Sequence, residues 1–304
     1  MSVQGAYAQL LGCIQGTILA SERMQRHTSY RIGGPAALFV TCDTYSSLRT
    51  VVDVLRVEGV PWVIMGRGSN VLVSDEGYRG AVITLGKEFR RFLFDDEHRL
   101  HVGAGAVLQR IVTEAFDRGL SGLEFAVGIP GTVGGAVSMN AGTAEQWIGS
   151  AVEEVMTFRP GVGLVRYAGR DISWFYRGSD IPPREIVLEA TLRLRPGDEA
   201  LVKRTMEGVL ERRKETQPLE MLSCGSVFRN PPDDSAARLI ESCGLKGFTV
   251  GRAQVSQRHA NFIVNLGGAT AAEVTKVIVH VLNKVREHHG IELRPEVKFL
   301  GFPA

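Results

Sequence analysis

Three polar side chains occupy settings where chemistry could be placed. Ser226 lies in CGSVFRNPP (224–232), between a glycine and a hydrophobic pair, in a turn expected to open the main body of a C-terminal domain. A serine there is either a reactive hydroxyl or a turn and cap residue. The strained G-x-S-x-G elbow is absent and no Ser-His-Asp set is evident, so the hydroxyl alone does not define a hydrolase. Arg177 lies in WFYRGS (174–179), either as an anchor stacked on aromatic neighbours or as a fixed charge facing a site. Glu296 lies in RPEVK (294–298), a β-like stretch in which pairing with a nearby cation is the ordinary use of a carboxylate. Cys224 reads as a small buried residue rather than a reactive thiol.

Two glycine-rich segments could hold a ligand for such groups. Glycine accounts for 35 of 304 residues, about 11.5 %, against a usual share of about 7 %. The surplus implies positive φ angles or close backbone approach. GRGSN (66–70) follows an apolar strand; its spaced glycines let successive N–H groups converge on an anion, and Ser69 and Asn70 add side-chain hydrogen bonds. Taken alone, it is better explained as a tight strand–strand turn. It is not a G-x-G-x-x-G fingerprint, because Val71 occupies the third glycine's place. GIPGTVGGAVSMNAG (128–142) carries Gly128, Gly131, Gly134, Gly135 and Gly142 and is closed by Ser138 and Asn140. A core segment so poor in side chains loses packing energy and backbone entropy. Either a close helix–strand crossing or a flat cofactor with a pyrophosphate fills the space. Two such loops from neighbouring α/β units favour a dinucleotide.

A mixed α/β scaffold must carry these segments. Residues 46–58 place Leu48, Val51, Val52 and Leu55 at helical spacing, after a Ser46 cap and before Gly59 as the stop. Residues 60–65 read as a strand running into GRGSN, with further strands at 71–73, 81–85 and 99–102. A helix over 106–118 has Val107, Leu108, Ile111, Val112, Ala115 and Phe116 on its apolar side. Strands follow at 152–158, 164–167 and 186–194; in the last, Leu188, Ala190, Leu192 and Leu194 alternate with polar residues, the sign of one buried face. Beyond the Pro196-Gly197-Asp198 break, helices are expected over 199–215, near 234–243 and over 270–289, with a strand at 262–265. The charges of 199–215 read as a solvated face rather than a phosphate patch.

Composition narrows the partners. Lys plus Arg is 35 against Asp plus Glu 33, and a formal charge of +2 gives no reason to expect a nucleic-acid partner. Hydrophobic residues at 44 % and charged residues at 22 % exclude disorder as the dominant state. The four cysteines form no C-x-x-C pair and the seven histidines include no H-E-x-x-H, so no metal site is expected. No apolar run is long enough to span a membrane. Residues 1–22 lack the layout of a signal peptide and read as an amphipathic helix. A reducing cytoplasmic location is expected.

Taken in order, HTSYRIGG (27–34), GRGSN (66–70), GIPGTVGGAVSMNAG (128–142), YRGS (176–179), GSVFRNPP (225–232), HANFIVN (259–265) and RPEVKFLG (294–301) closely resemble the UDP-N-acetylenolpyruvoylglucosamine reductase family. The resemblance covers nearly the whole chain. It implies an α+β fold class: a vanillyl-alcohol-oxidase/PCMH-type FAD-binding fold of two α/β subdomains, plus a C-terminal α/β substrate domain. The boundaries it implies are 1–22 for an N-terminal helix, 23–197 for the FAD-binding domain (divided near residue 88) and 198–304 for the substrate domain. It also implies a monomer that holds FAD non-covalently. Such a protein uses NADPH as co-substrate to reduce UDP-N-acetylenolpyruvoylglucosamine to UDP-N-acetylmuramate for peptidoglycan.

The family's residues carry over one by one. Arg177, after Tyr176, matches the catalytic arginine; Ser226 matches the proton-donating serine; and Glu296, in P-E-V, matches the glutamate. The resemblance implies hydride from flavin N5 to the terminal enol-ether carbon and a proton from Ser226 to the α-carbon. Arg177 and Glu296 stabilise the enolate, Glu296 as a donor if burial keeps it protonated. Flavin contacts fall on Tyr30, Gly66, Arg67, Gly68, Ser69 and Asn70, and on Gly128, Pro130, Gly131, Gly134, Gly135, Ser138 and Asn140. Substrate contacts fall on Tyr176, Arg229, Asn230 and Lys214. The chain resembles the shorter form of the family: only residues 178–185 separate Arg177 from the next strand, and no tyrosine follows Tyr176. Thr216 stands before the Gln-Pro pair where many relatives have lysine, with Lys214 two positions earlier. Two rival readings are a sugar or alcohol oxidase of the same fold and a nucleotide-binding module without redox turnover.

Overall fold

Hydrophobic spacing and caps place the helices in a computed structural model that describes residues 2–143 and 145–303. Met1 and Ala304, the ends of the expected terminal segments, lie outside the described residues. Among the described residues the α-helices are α1 (Val3–Leu10), α2 (Tyr45–Val57), α3 (Leu108–Asp117), α4 (Val133–Ser138), α5 (Glu199–Thr216), α6 (Ala236–Ser242) and α7 (Ala271–His289). The chain packs as two compact units that interleave along the sequence. The first takes residues up to Ala20, Leu38–Gly66 and Gly80–Glu211; the second takes Ser21–Ala37, Arg67–Arg79 and the chain from Arg212 onward.

The first unit is built around two sheets. One orders the strands Gly16–Arg23, Pro35–Cys42, Tyr78–Leu85 and Trp62–Ile64. Leu48, Val51, Val52 and Leu55 of α2 bury against Leu38, Val40 and Ile83 of this sheet and against Ala6 and Leu10 of α1. The other sheet is antiparallel and orders Gly163–Ala168, Val152–Arg159, Ile186–Arg193, Arg99–Gly103 and Phe92–Phe94. Its core includes Leu100, Val102, Val155, Ala190 and Leu192, with Ile111, Val112 and Ala115 of α3.

Several sequence expectations are corrected here. Residues 1–22 are not one helix: α1 ends at Leu10 and Gly16–Arg23 is a strand. Gly12 at φ 75° and Gly16 at φ 140° break the helical path between them. Thr44, not Ser46, caps α2, its side chain accepting from Ser47 N. The strand expected over 186–194 ends at Arg193 and does not keep a simple alternation. Register shifts between Val187 and Glu189 and between Thr191 and Leu192 change which face follows. Ile186 and Leu188 therefore join the α2 core, while Val187, Ala190 and Leu192 join the α3 core.

Glu185, at the start of that strand, is a buried carboxylate with a side chain 1 % exposed. Thr157 donates to it, as do Tyr167 at 2.8 Å and Arg159 Nε at 2.7 Å. Burial alone would raise its pKa, but these donors outweigh burial and hold it below the usual value of 4.5. Glu185→Gln should therefore cost about 1–3 kcal/mol at neutral pH. A lowered folded pKa contributes stability above the ordinary carboxylate value and loses it as pH falls through the folded one. Urea midpoints of wild type and variant should thus stay apart near pH 7 and converge below about pH 4.5. An equal gap at all pH values would show that the charge is not what stabilises the strand.

The second unit contains a three-stranded antiparallel sheet, Thr249–Val250, Ala253–Val255 and Ile263–Asn265, and a parallel pair of Val71–Val73 with Lys298–Leu300. Val274, Val277, Ile278, Val281 and Val285 form the buried stripe of α7 and share a core with Leu239 and Ile240 of α6. Thr270 and Glu273 make a capping box at its start, and Asp75 accepts from Ala271 N and Ala272 N at 2.8 and 2.9 Å. Gly290, at φ 66°, ends it.

Candidate active site

In the first unit the glycine-rich segment 128–142 turns through Gly128 (φ 76°) and Gly131 (φ 130°) into α4. Thr132 caps that helix, its Oγ1 accepting from Gly135 N at 3.3 Å. A side chain at Gly66 would place its Cβ 2.7 Å from Thr132 Oγ1, so the first glycine loop meets the second at this point. A Cβ at Gly134 would lie 2.7 Å from Ala104 Cβ. At these two glycines protein atoms occupy the place a side chain would take. Gly135 is exposed, as Gly66 is, but a Cβ there would meet only Thr132 Oγ1 at 3.5 Å, an ordinary contact. With Pro130 and Ser138 also exposed, this side of the loop is a ledge almost without side chains. Gly134→Ala should cost about 1–3 kcal/mol by overpacking, read as a lower melting temperature of the FAD-free protein. An unchanged melting temperature would show that the crossing can yield.

Arg177 sits in the turn of a hairpin between Trp174–Phe175 and Gly178–Ser179. Its backbone is left-handed at φ 61°, uncommon for arginine. Nη1 donates to Gly142 O at 3.3 Å, and the guanidinium lies 4.9 Å from the Tyr176 ring centroid. The aromatic contact expected from the sequence is thus present. Asn140, expected as a flavin contact, is buried, its Nδ2 donating to Phe175 O at 3.0 Å and its Oδ1 accepting from Gly149 N at 3.1 Å.

In the second unit Ser226 and Glu296 come onto neighbouring backbone segments. Ser226 bridges Phe262, and Phe228 bridges Pro295. Val227 O accepts from Glu296 N at 2.7 Å, and Arg229 N donates to Arg294 O at 2.9 Å. Both side chains are half-buried. Cys224, two residues before the serine, is an inert thiol: burial pushes it up to about 12. Tyr30, expected as a flavin contact, lies in the interior of this unit. It is 1 % exposed, in the core with Cys224, and its hydroxyl donates to Ile263 O at 2.8 Å.

The first glycine loop enters this unit at Arg67, which is exposed. Gly68 is left-handed at φ 62°, and a Cβ would fall 2.3 Å from His27 O, so only glycine fits against HTSYRIGG. Ser69 is half-buried. Asn70 Nδ2 donates to Glu296 O at 3.2 Å, and Asn70 O accepts from Lys298 N at 3.0 Å. Asn230 Oδ1 accepts from Ala236 N at 3.0 Å at the start of α6. Lys214, near the end of α5, is exposed, and its carbonyl accepts from Arg258 Nη1 at 3.1 Å.

Sequence reading missed Thr132, although a threonine directly before a helix is a cap signal. It also missed Asn261, whose buried amide exchanges hydrogen bonds of 2.9 and 2.8 Å with the N–H and carbonyl of Phe228 and so fixes the segment after Ser226. No local pattern announces that asparagine inside HANFIVN.

Comparison with known proteins decides the family. The model for the C-terminal domain of UDP-N-acetylenolpyruvoylglucosamine reductase matches residues 217–300, and the model for a FAD binding domain matches residues 36–159. The reductase of Syntrophotalea carbinolica is 41 % identical over 97 % of this chain and 98 % of its own length. The chain belongs to the UDP-N-acetylenolpyruvoylglucosamine reductase family. The Bacillus subtilis reductase is 39 % identical over 94 % of this chain and 95 % of its own. The solved reductase of Thermus caldophilus superposes with a TM-score of 0.81 at 37 % identity, covering 94 % of this chain and 99 % of that one. A BBE-like protein of Physcomitrella patens, at 14 % identity and TM-score 0.58, shares the fold alone. The family assignment fixes the α+β, PCMH-type FAD-binding fold, and the ledge of Pro130, Gly131, Gly135 and Ser138 lies within the matched FAD-binding region. FAD fits that ledge because no bulky side chain keeps a flat ring or a pyrophosphate from the backbone. Among the described residues no group of three His, Cys, Asp or Glu could hold a metal, and no helix is long and apolar enough to cross a membrane.

Proposed function

We infer that the chain reduces UDP-N-acetylenolpyruvoylglucosamine to UDP-N-acetylmuramate with FAD as cofactor and NADPH as co-substrate, a step of peptidoglycan precursor synthesis. The carrying observation is reductase similarity over nearly the whole length, together with Ser226, Arg177 and Glu296 standing in the motifs that resemble the family's. FAD, held non-covalently along Gly66–Asn70 and the ledge at 128–138, supplies the hydride when bound.

The chain's own residues govern charge and proton. Hydride addition to the terminal carbon of the enol ether pushes an electron pair onto the carboxylate. Arg177, held by Gly142 O and the Tyr176 ring, puts a preoriented positive charge at that carboxylate. Glu296, on the segment beside Ser226, donates a hydrogen bond to the same group when its carboxyl is protonated. Ser226 gives its proton to the α-carbon, completing the addition of H⁻ and H⁺ across the double bond. Tyr176, Arg229, Asn230 and Lys214 bind the nucleotide sugar, Lys214 serving in place of a lysine at Thr216.

The functional division runs from an N-terminal segment (1–22) through a FAD-binding region (23–197) to a substrate region (198–304), which the model matches over 36–159 and 217–300 support. The protein acts as a cytoplasmic monomer without nucleic-acid or membrane partners, in keeping with a formal charge of +2. Purified protein should carry a flavin absorbance band and oxidise NADPH when the enolpyruvyl sugar is added. Oxygen consumption without that sugar would instead indicate an oxidase.

A further inference from the structure

Each glycine-rich loop ends in an asparagine whose amide donates to the backbone of a segment bearing a proposed catalytic side chain. Asn140 Nδ2 donates to Phe175 O, two residues before Arg177; Asn70 Nδ2 donates to Glu296 O. Each contact lies within a single unit.

The setting of Asn140 is the more constrained. It is 5 % exposed and left-handed at φ 43°, a conformation asparagine tolerates better than most residues. Its two side-chain bonds join three stretches of chain: its own loop, Gly149 and the hairpin of Arg177. Gly149 in turn packs against that hairpin, since a Cβ there would lie 2.4 Å from the Trp174 ring. The same loop also receives the guanidinium, through Gly142 O. Backbone and side chain of the arginine are thus both referred to residues 140–142. Arg177 needs such support, because a left-handed arginine in a short hairpin is not held by local preference.

We propose that Asn140 is a positioning residue that fixes Arg177, and that Asn70 does the same for Glu296, so that the cofactor loops also set the groups acting on the substrate carboxylate. This rests on the catalytic reading of Arg177 and Glu296 given above. It assigns neither amide to the flavin.

The first test needs no activity. In FAD-free protein, amide hydrogen exchange across 172–180 should quicken at least about fivefold in Asn140→Gly, which keeps the left-handed backbone but removes both bonds. Exchange across 294–298 should quicken in Asn70→Ser. Unchanged exchange overturns the tether. Asn140→Asp, which keeps the acceptor for Gly149 and loses the donor, serves if the glycine variant does not fold.

The second test uses the loaded enzyme. Asn140→Gly should slow reoxidation of the flavin by the enolpyruvyl sugar about ten- to hundredfold, with FAD affinity and flavin reduction by NADPH unchanged. In an Arg177→Ala background the same change should add less than about twofold, because the two act through one group. Full additivity, or an equal loss in flavin reduction, would make Asn140 a flavin ligand and overturn the proposal. An Arg177→Ala enzyme with normal rates would instead refute the catalytic reading while leaving the exchange result to judge the tether.

Discussion

Ser226→Ala is expected to slow reduction of the enolpyruvyl sugar by about 10²–10⁴, while NADPH reduces the flavin at the wild-type rate. The argument is one of proton supply. Once hydride has added, the α-carbon is a strong base that needs a proton held at bonding distance. A serine hydroxyl is a weak acid, yet it suffices for so basic a carbon if it is held in place. The segment of Ser226 is held from two sides, by Asn261 through Val227 and Phe228 and by Glu296 N through Val227 O. Water admitted by the alanine variant lacks that orientation. Stopped-flow traces of flavin reduction and reoxidation separate the two half-reactions. A normal reoxidation rate in Ser226→Ala would remove the serine from the mechanism, and equal slowing of both halves would point to disturbed cofactor binding.

Arg177→Ala should lower kcat and kcat/KM together by about 10²–10³, the usual effect of losing one preorganised charge that acts on the transition state. Arg177→Lys keeps a charge but not the planar fork, and it should recover part of the loss. Both variants accept the left-handed backbone at about the same cost, so comparing them isolates the guanidinium from the turn. A rise in KM at constant kcat would instead make Arg177 a ground-state binding residue.

Much of this architecture could be read from residue spacing. The stripe Leu48, Val51, Val52 and Leu55 gave α2, and the α7 stripe from Val274 to Val285 gave the longest helix. What spacing could not convey depends on partners distant in sequence. The register shifts in Ile186–Arg193 arise from its two neighbours, and alternation within one strand cannot report them. The glycines divide in the same way: a side chain at Gly66 or Gly134 would run into Thr132 or Ala104, while one at Gly135 would make only an ordinary contact. From the sequence alone the five in 128–142 look alike. The roles proposed for Ser226, Arg177 and Glu296 rest on the ordered motifs that resemble the family's, since each residue taken singly also fits an ordinary structural role. Tyr30 and Asn140 lie in those motifs too, and the bonds of their side chains to Ile263 O and Phe175 O depend on partners that the motifs do not name.

The most direct measurement follows both hydrogens into product. Wild-type enzyme, unlabelled NADPH and UDP-N-acetylenolpyruvoylglucosamine are combined in D₂O, and the UDP-N-acetylmuramate formed is examined by mass spectrometry and proton NMR. Reduction as described places one deuterium on the carbon α to the carboxylate, while the new methyl group carries hydrogen or deuterium according to how far the N–H of the reduced flavin has exchanged with solvent before transfer. NADPH consumption without that product, or with oxygen as the electron acceptor, would contradict the assignment.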